Sequence, residues 1–223
     1  MGAERRISIR GGELKTINGN EVSQPTDSLD LVIVNAAPIS RSYYANTFDP
    51  SEIRAPVCWS GDTQVPAVDV PDDQRQSSRC MDCPQNVRGS GANGGRACRF
   101  SQRLAVALQD DLTVVYRLQL PATSIYGRGG SGHKPLQEYV KLLSARGYEA
   151  TALVTKVYLD EDSVVPKLYF KPVRSLDDDE LDAVRSMESH ADTLEAIQLD
   201  PYVPREATSP FEEVDGFEAD ATK

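Results

Sequence analysis

The sequence predicts a mainly β fold with one internal helix, a long irregular insertion and a helical segment near its end. Apolar residues alternate in several short runs, and turn-forming residues separate those runs. A helical hydrophobic period occurs only near residues 136–143 and 181–197. With 39% hydrophobic residues among 223, the chain is long enough to bury a core. We expect one domain with an appended tail.

Strand signals of this kind predict six strands. Asn18-Gly19 is the strongest turn signal among them, since this dipeptide favours the tightest hairpins. A helix that begins after Pro135 and ends near Gly147 separates the fourth strand from the fifth. Hairpins with one interposed helix are typical of an OB-like Greek-key barrel, and a sandwich would give the same string. The expected strand segments are residues 7–17, 29–34, 104–108, 112–120, 152–159 and 167–173.

Four segments organise the chain. The OB-like barrel domain is expected over residues 1–174 and carries an insertion at about 41–100, which lacks hydrophobic periodicity. An amphipathic helix with Ser175 as its cap is expected over 175–199, and an acidic disordered tail over 200–223. No apolar run approaches a membrane span and the first residues do not form a signal peptide. We therefore expect a cytoplasmic protein without membrane association.

All four cysteines lie within the insertion. Cys80-Met81-Asp82-Cys83 is a CxxC turn, a spacing that lets two thiolates reach one tetrahedral ion. A reducing cytosol disfavours disulfides, and both histidines lie far away in sequence. The sequence therefore predicts one structural zinc ion in a closed site. Its ligands are Cys58, Cys80, Cys83 and Cys98.

Charge is unevenly distributed along the chain. The net charge is -10, but residues 176–223 contain fifteen acidic and three basic residues, a net of -12, which leaves residues 1–175 at about +2. Between residues 75 and 103 there are six arginines and a single acid, Asp82. Arginine binds phosphate oxygens, and nearby aromatic rings offer surfaces on which bases stack. This combination favours single-stranded DNA as the ligand.

The candidate DNA contacts are basic or aromatic residues of the insertion and of one glycine-rich loop. For any one of them, a solvated loop or a core position is the simpler interpretation, and only the cluster favours binding. In the tail, Phe211 and Phe217 stand among acids and are candidate partner contacts. The candidate DNA contacts are Tyr43, Tyr44, Trp59, Arg79, Arg88, Arg96, Arg99, Phe100, Arg103, Arg128 and Lys134.

The chain also resembles a group of uncharacterised or single-stranded-DNA-binding proteins of tailed bacteriophages. The resemblance is carried by Cys80-Met81-Asp82-Cys83-Pro84-Gln85-Asn86-Val87, by Gly89-Ser90-Gly91 and by Gly95-Arg96-Ala97-Cys98-Arg99, and extends less sharply from Cys58 to Pro172. It implies an OB-like fold, zinc at the four cysteines and binding of phage single strands during replication or recombination. An acidic tail in such proteins implies recruitment of replication partners.

Other functions compete with this one. A protein-interaction module that modulates a phage or host polymerase or nuclease would use the zinc loop for docking. A metal-dependent nuclease is less favoured, because the carboxylates do not converge in sequence and no histidine has a nucleophile beside it. The loop from Gly127 to Lys134 resembles a phosphate loop, but Pro135 stands where the magnesium-binding Ser or Thr is required. We therefore expect no enzymatic activity.

Overall fold

The computed structural model describes residues 5–45, 55–91, 94–130 and 132–199. These ranges contain ten strands and four α-helices, with short 3₁₀ turns between them. The strands are β1 (Arg5–Ser8), β2 (Lys15–Asn18), β3 (Glu21–Val22), β4 (Ser28–Ala36), β5 (Ser40–Tyr43), β6 (Cys58–Ser60), β7 (Cys98–Leu108), β8 (Asp111–Pro121), β9 (Leu153–Leu159) and β10 (Leu168–Ser175). The helices are α1 (Ala122–Ile125), α2 (Leu136–Ser144), α3 (Asp178–Glu188) and α4 (Ala191–Ile197).

The strands form one curled sheet in the order β10-β9-β4-β7-β8-β1-β2-β3. In the run β9-β4-β7-β8, each strand is antiparallel to the next one. The fourth strand of this set, β9, lies beside the first, β4, which is the arrangement of a Greek key. Strand β1 joins β8 in parallel, and β5 pairs with both β6 and the first residues of β7.

The inner face of the curled sheet carries the main core. Alternate residues of each strand point inward, and they include Leu104, Leu118 and Val157, all at most 1% exposed. Helix α2 closes this face with Tyr139, whose ring stacks on Phe170 at a centroid distance of 5.9 Å. Its hydroxyl lies 2.7 Å from the hydroxyl of Thr155, so the buried polar atom is paired.

Helices α3 and α4 cover part of the outer face. Val32 and Val154 contact Val184 of α3, while Ala105 and Ala107 contact Ala196 of α4. Small residues on β7 let α4 approach the sheet closely.

The last carbonyl groups of α4 accept hydrogen bonds from two arginines of the sheet. Arg117 donates to Ala196 and Glu195 at 3.1 and 3.0 Å, and Arg103 donates to Gln198. Cations at this end of a helix satisfy the unpaired carbonyls and oppose the helix dipole.

The mainly β prediction is confirmed, and so is the hairpin at Asn18-Gly19, where Gly19 has φ 60°. The insertion contains two strands that the sequence analysis did not predict, β5 and β6. The expected helix over residues 175–199 is two helices with a break near His190, and Asp177 rather than Ser175 caps the first. Among the described residues, no helix combines the length and the apolar character that a bilayer crossing requires.

The cap of α3 predicts a pH-dependent contribution to stability. Glu180 accepts two hydrogen bonds from Arg174, each 2.7 Å long, and one from the Asp177 amide at 3.0 Å. These donors lower the pKa of Glu180 from 4.5 to about 2. A lowered pKa in the folded state stabilises the protein above pH 4.5, and this contribution disappears as the pH falls towards 2.

We expect Glu180→Gln to be less stable than the unaltered protein at pH 7, with the difference closing as the pH falls. Urea unfolding at a series of pH values measures this. Glu161→Gln, in the exposed turn between β9 and β10, is the control for removing one carboxylate elsewhere. A difference between Glu180→Gln and unaltered protein that stays constant with pH would contradict the assignment.

Candidate metal centre

Two of the four cysteines are placed by strand register. Tyr43 of β5 pairs with Cys58 of β6 on one side and with Cys98 of β7 on the other. Residues opposite one another in neighbouring strands point to the same face. The two cysteines therefore flank Tyr43 on one face, about 10 Å apart at the backbone across two strand spacings.

The other two cysteines lie on a tight turn that faces this row. Residues Cys80–Asp82 form a 3₁₀ turn, and Pro84–Asn86 form a second one directly after Cys83. The Cys80 amide donates to the Gln64 carbonyl at 2.8 Å, which fixes the turn against the loop that follows β6. Cys80 and Cys83 are 9% and 7% exposed, so both thiols point away from water.

All four cysteines line one cavity of about 20 Å³, together with Arg41 and Tyr43. This volume holds a single atom of about water size. Among the described residues, the side chains around the cavity are not at metal-ligand distances, because no three or more Cys, His, Asp or Glu side chains are close enough to hold one ion. Binding of one ion by all four thiols requires them to turn towards the centre of the cavity.

Burial favours the neutral thiol at Cys80 and Cys98. Burial raises the pKa of Cys98 to about 12, with Arg41 opposing the rise and the other cysteines adding to it. The pKa of Cys80 is also raised, first by burial, while a hydrogen bond with Ser60 and the charge of Arg41 lower it. A divalent cation favours the thiolate over the neutral thiol, because its positive charge stabilises the negative sulfur. Each thiol loses its proton when it binds the metal.

Arg41 is a buried cation beside the cysteines. Its side chain is 6% exposed, and its guanidinium carbon lies 4.2 Å from the ring centroid of Phe100. One terminal nitrogen donates to the Cys80 carbonyl at 3.3 Å, while among the described residues Nε has no hydrogen-bond partner and no carboxylate pairs with the group. A buried charge without a counter-ion costs several kcal/mol.

In the loop between Cys83 and Cys98, the described residues 84–91 and 94–97 are joined by several hydrogen bonds. The amides of Gly89 and Gly91 both donate to the Gly95 carbonyl, at 2.9 and 3.0 Å. The Ser90 hydroxyl donates to Val87 at 2.6 Å and accepts from the Ala97 amide at 3.0 Å. These bonds hold residues 89–91 against residues 95–97, directly before Cys98.

The opposite face of the same three strands gathers several predicted DNA contacts. Trp59 and Arg99 both pair with Ser42, so they lie on either side of it. Arg99 is exposed, whereas Trp59 is half-buried and also lines the cysteine cavity. Tyr44 follows β5 and is 43% exposed. Its pKa is raised by burial, while Arg103 and Arg99 lie close enough to lower it. We call Tyr44, Trp59, Arg99 and Arg103 the insertion face.

Two other predicted DNA contacts, Tyr43 and Phe100, lie on the cysteine side of these strands. Tyr43 lines the cysteine cavity, and Phe100 lies between Arg41 and the Tyr126 ring, whose centroid is 5.7 Å away at an interplanar angle of 83°. Both rings are half-buried in these contacts.

The remaining predicted residues are spread over the surface. Arg79 lies 3.6 Å from Asp82, and Arg88, Arg96 and Arg128 are exposed. Lys134 is 2.9 Å from Glu138, and the same carboxylate accepts from the Gly129 amide at 2.7 Å. The loop that resembles a phosphate loop is thus bound to the first turn of α2. Phe211 and Phe217 lie outside the described residues.

Sequence reasoning missed Arg41, which the structure places at the centre of the site. A lone arginine in the run Ser40-Arg41-Ser42-Tyr43 carries no hydrophobic pattern, and only its position before the cysteine segment could have drawn attention to it. No protein family, curated protein or solved structure matches this chain.

Glycine is required at one position of the loop that leads to Cys98. A Cβ atom on Gly91 would lie 2.7 Å from the Arg96 carbonyl carbon and 2.8 Å from the Ala97 amide nitrogen. Because backbone atoms cannot move aside cheaply, we expect Gly91→Ala to destabilise the protein by about 1–3 kcal/mol.

Gly61→Ala is the matched control, since its Cβ would make an ordinary contact 3.7 Å from Leu199. This change should alter the stability by less than about 0.5 kcal/mol. Urea unfolding of both variants measures the difference. Equal stability of the two would show that the loop rearranges freely around residue 91.

Proposed function

We propose that this protein binds single-stranded DNA on the insertion face, and that one structural zinc ion on the four cysteines braces that face. The supporting observation is the placement of aromatic rings and arginines together on the side of β5, β6 and β7 opposite the cysteines. Base stacking on exposed aromatic rings and phosphate binding by arginine are the two interactions that hold single strands.

Zinc fits the chemistry of the cysteine cavity. Four thiolates around Zn²⁺ carry a net double negative charge, and the guanidinium of Arg41 is the adjacent positive charge. A closed thiolate site leaves no open position for a catalytic water, so the ion serves structure. The metal would convert the buried arginine from an electrostatic cost into a stabilising neighbour.

The strand order supports an OB-like barrel. Counting β4, β7, β8, β9 and β10 as its five strands, the helix α2 lies between the third and the fourth, and the cysteine-bearing insertion lies between the first and the second. In OB folds, the loop between the first two strands is one of the elements that bind oligonucleotides. The insertion would therefore extend the binding loop of the fold.

The acidic C-terminal residues have a separate role in this proposal. Residues 176–223 carry the net charge of -12 counted above, which repels phosphates. We propose that Phe211 and Phe217, set among acids, bind basic and apolar grooves of replication proteins. The resemblance to phage single-strand binders, together with this charge division, supports a role in DNA replication or recombination.

The charge balance at the cysteines makes a testable prediction. We expect about one zinc per chain, with none retained by Cys83→Ser. Arg41→Met keeps much of the side-chain volume and removes the charge, so it should weaken zinc affinity by about 10–100-fold. Elemental analysis and competition with a chromogenic chelator measure both quantities.

Arg79→Met is the matched control, because Arg79 flanks the same turn but is exposed and paired with Asp82. Its zinc affinity should be unchanged. Protein that folds cooperatively without bound metal, or equal zinc affinity in the two arginine variants, would contradict the proposed centre.

DNA binding is predicted to depend on Arg99 and to be reported by Trp59. The single tryptophan should be quenched by a single-stranded oligonucleotide, with affinity falling steeply as salt rises. Arg99→Ala should lower the slope of log affinity against log salt by about 0.7, the value of one phosphate contact.

Arg146→Ala, an exposed arginine just after α2, should leave the slope unchanged. Fluorescence titrations and gel shifts over a range of salt concentrations measure the effect, with duplex DNA as competitor. If a single-stranded oligonucleotide causes neither quenching of Trp59 nor a gel shift at low salt, the proposed function is wrong.

A further inference from the structure

We propose a second contact for single-stranded DNA on the outer face of the β9–β10 hairpin, where His133 and two tyrosines take a base and Lys156 and Lys171 take phosphates. This inference rests on the proposed function and adds a separate surface to it. None of these five residues belongs to the insertion. Their combination of rings and lysines is one that single strands recognise.

Strand register places four of the five residues together. Tyr158 pairs with Tyr169, and Lys156 pairs with Lys171, so all four lie on one face of the hairpin. Their neighbours along the strands, such as Val157 and Phe170, point into the core and are 1% exposed. The tyrosines and lysines therefore point outward, on the same side of the sheet as α3 and α4.

The two helices do not extend over this part of the outer face. They contact Val32, Val154 and the alanines of β7, while Lys171 is exposed and the two tyrosines are half-buried. Within the described ranges, the core clusters of α3 and α4 do not include these two rings. The side chain that lies over one of them is a cation, Lys167, whose Nζ is 4.6 Å from the centroid of Tyr169.

His133 completes an aromatic cluster on this face. Its ring centroid is 5.4 Å from that of Tyr158 and 5.6 Å from that of Tyr169, with both pairs in edge-on geometry. Nδ1 of His133 lies 2.9 Å from the Tyr158 hydroxyl, which also donates to the Gly132 carbonyl at 3.2 Å. The exposed imidazole is thus held in place by the tyrosine below it, ready to stack on a base.

A groove of about 370 Å³ runs beside the cluster, lined in part by His133, Tyr158, Lys156 and Lys171. That volume is in the range of small-molecule sites, and accommodates a nucleotide. Asp27 and Glu161 also line it. Lys156 is 3.5 Å from Asp30, whereas among the described residues no carboxylate is in ion-pair distance of Lys171. Of the two lysines, Lys171 is therefore the one for which no described carboxylate competes with a phosphate.

The test compares ring and charge variants in the full-length protein, with a single-stranded oligonucleotide as the probe. His133→Ala removes the ring and should weaken binding about tenfold, whereas His133→Phe keeps a ring and should restore most of the affinity. Both variants lose the bond to Tyr158, so only stacking differs between them. Lys171→Ala should weaken binding and reduce its salt dependence, and Lys171→Arg should not.

Lys141→Ala is the matched control, because this exposed lysine lies on α2, which packs against the inner face. Circular dichroism and thermal unfolding verify that each variant is folded. Binding by His133→Ala and Lys171→Ala equal to that of unaltered protein, with Trp59 quenching intact, overturns the second contact and leaves the proposed function standing. If the unaltered protein binds no oligonucleotide, both proposals fail.

Discussion

Strand β7 is the constraint on which the arrangement of this molecule depends. It runs for eleven residues from Cys98 to Leu108, and its two halves belong to different neighbourhoods. The first half begins at Cys98 and pairs with β5. The later half pairs with β4 and carries the core residues Leu104 and Val106. Because one continuous strand has a fixed alternation, the packing of its later half in the main core sets the direction of every insertion side chain on it.

That alternation separates the two kinds of chemistry in the insertion. Cys98 and Phe100 share a face with the core residues of β7, and Arg41 lies against Phe100 on that face. Arg99 and Arg103 point the other way, to the side where α4 packs. The buried cation and the thiols therefore lie on one side of the sheet, and Arg99 and Arg103 lie on the other. Because Cys98, Arg99 and Arg103 belong to one strand, a change in the conformation of the cysteine segment also shifts the backbone of these arginines.

The sequence predicted the parts of this fold that depend on hydrophobic period. Residues 112–120 and 152–159 alternate because one face of each strand is buried, and both strands form where expected. Strands β5 and β6 were missed because Ser40, Arg41 and Ser60 are buried polar residues, and such burial follows from local pairing rather than from apolar alternation. The four cysteines line one cavity, as their grouping in the sequence suggests, whereas no sequence pattern predicts Arg41 beside them.

The cluster around His133 was missed for a different physical reason. Tyr158 and Tyr169 alternate with core residues of β9 and β10, so in sequence they are indistinguishable from rings that close a sandwich. Only the extent of α3 and α4 decides whether that face is covered.

The position of α4 relates the end of the described chain to the insertion face. Arg103 and Arg117 hold its last carbonyls over β7 and β8, so the helix lies on the outer face beside the insertion face. Arg103 thereby joins the insertion face to the helix end. Leu199, two residues beyond α4, lies beside Gly61 of the loop that follows β6. Leu199, the last residue that the structure describes, therefore lies next to the insertion face, so a protein that bound residues 200–223 close to Leu199 would be held near the proposed site of the single strand.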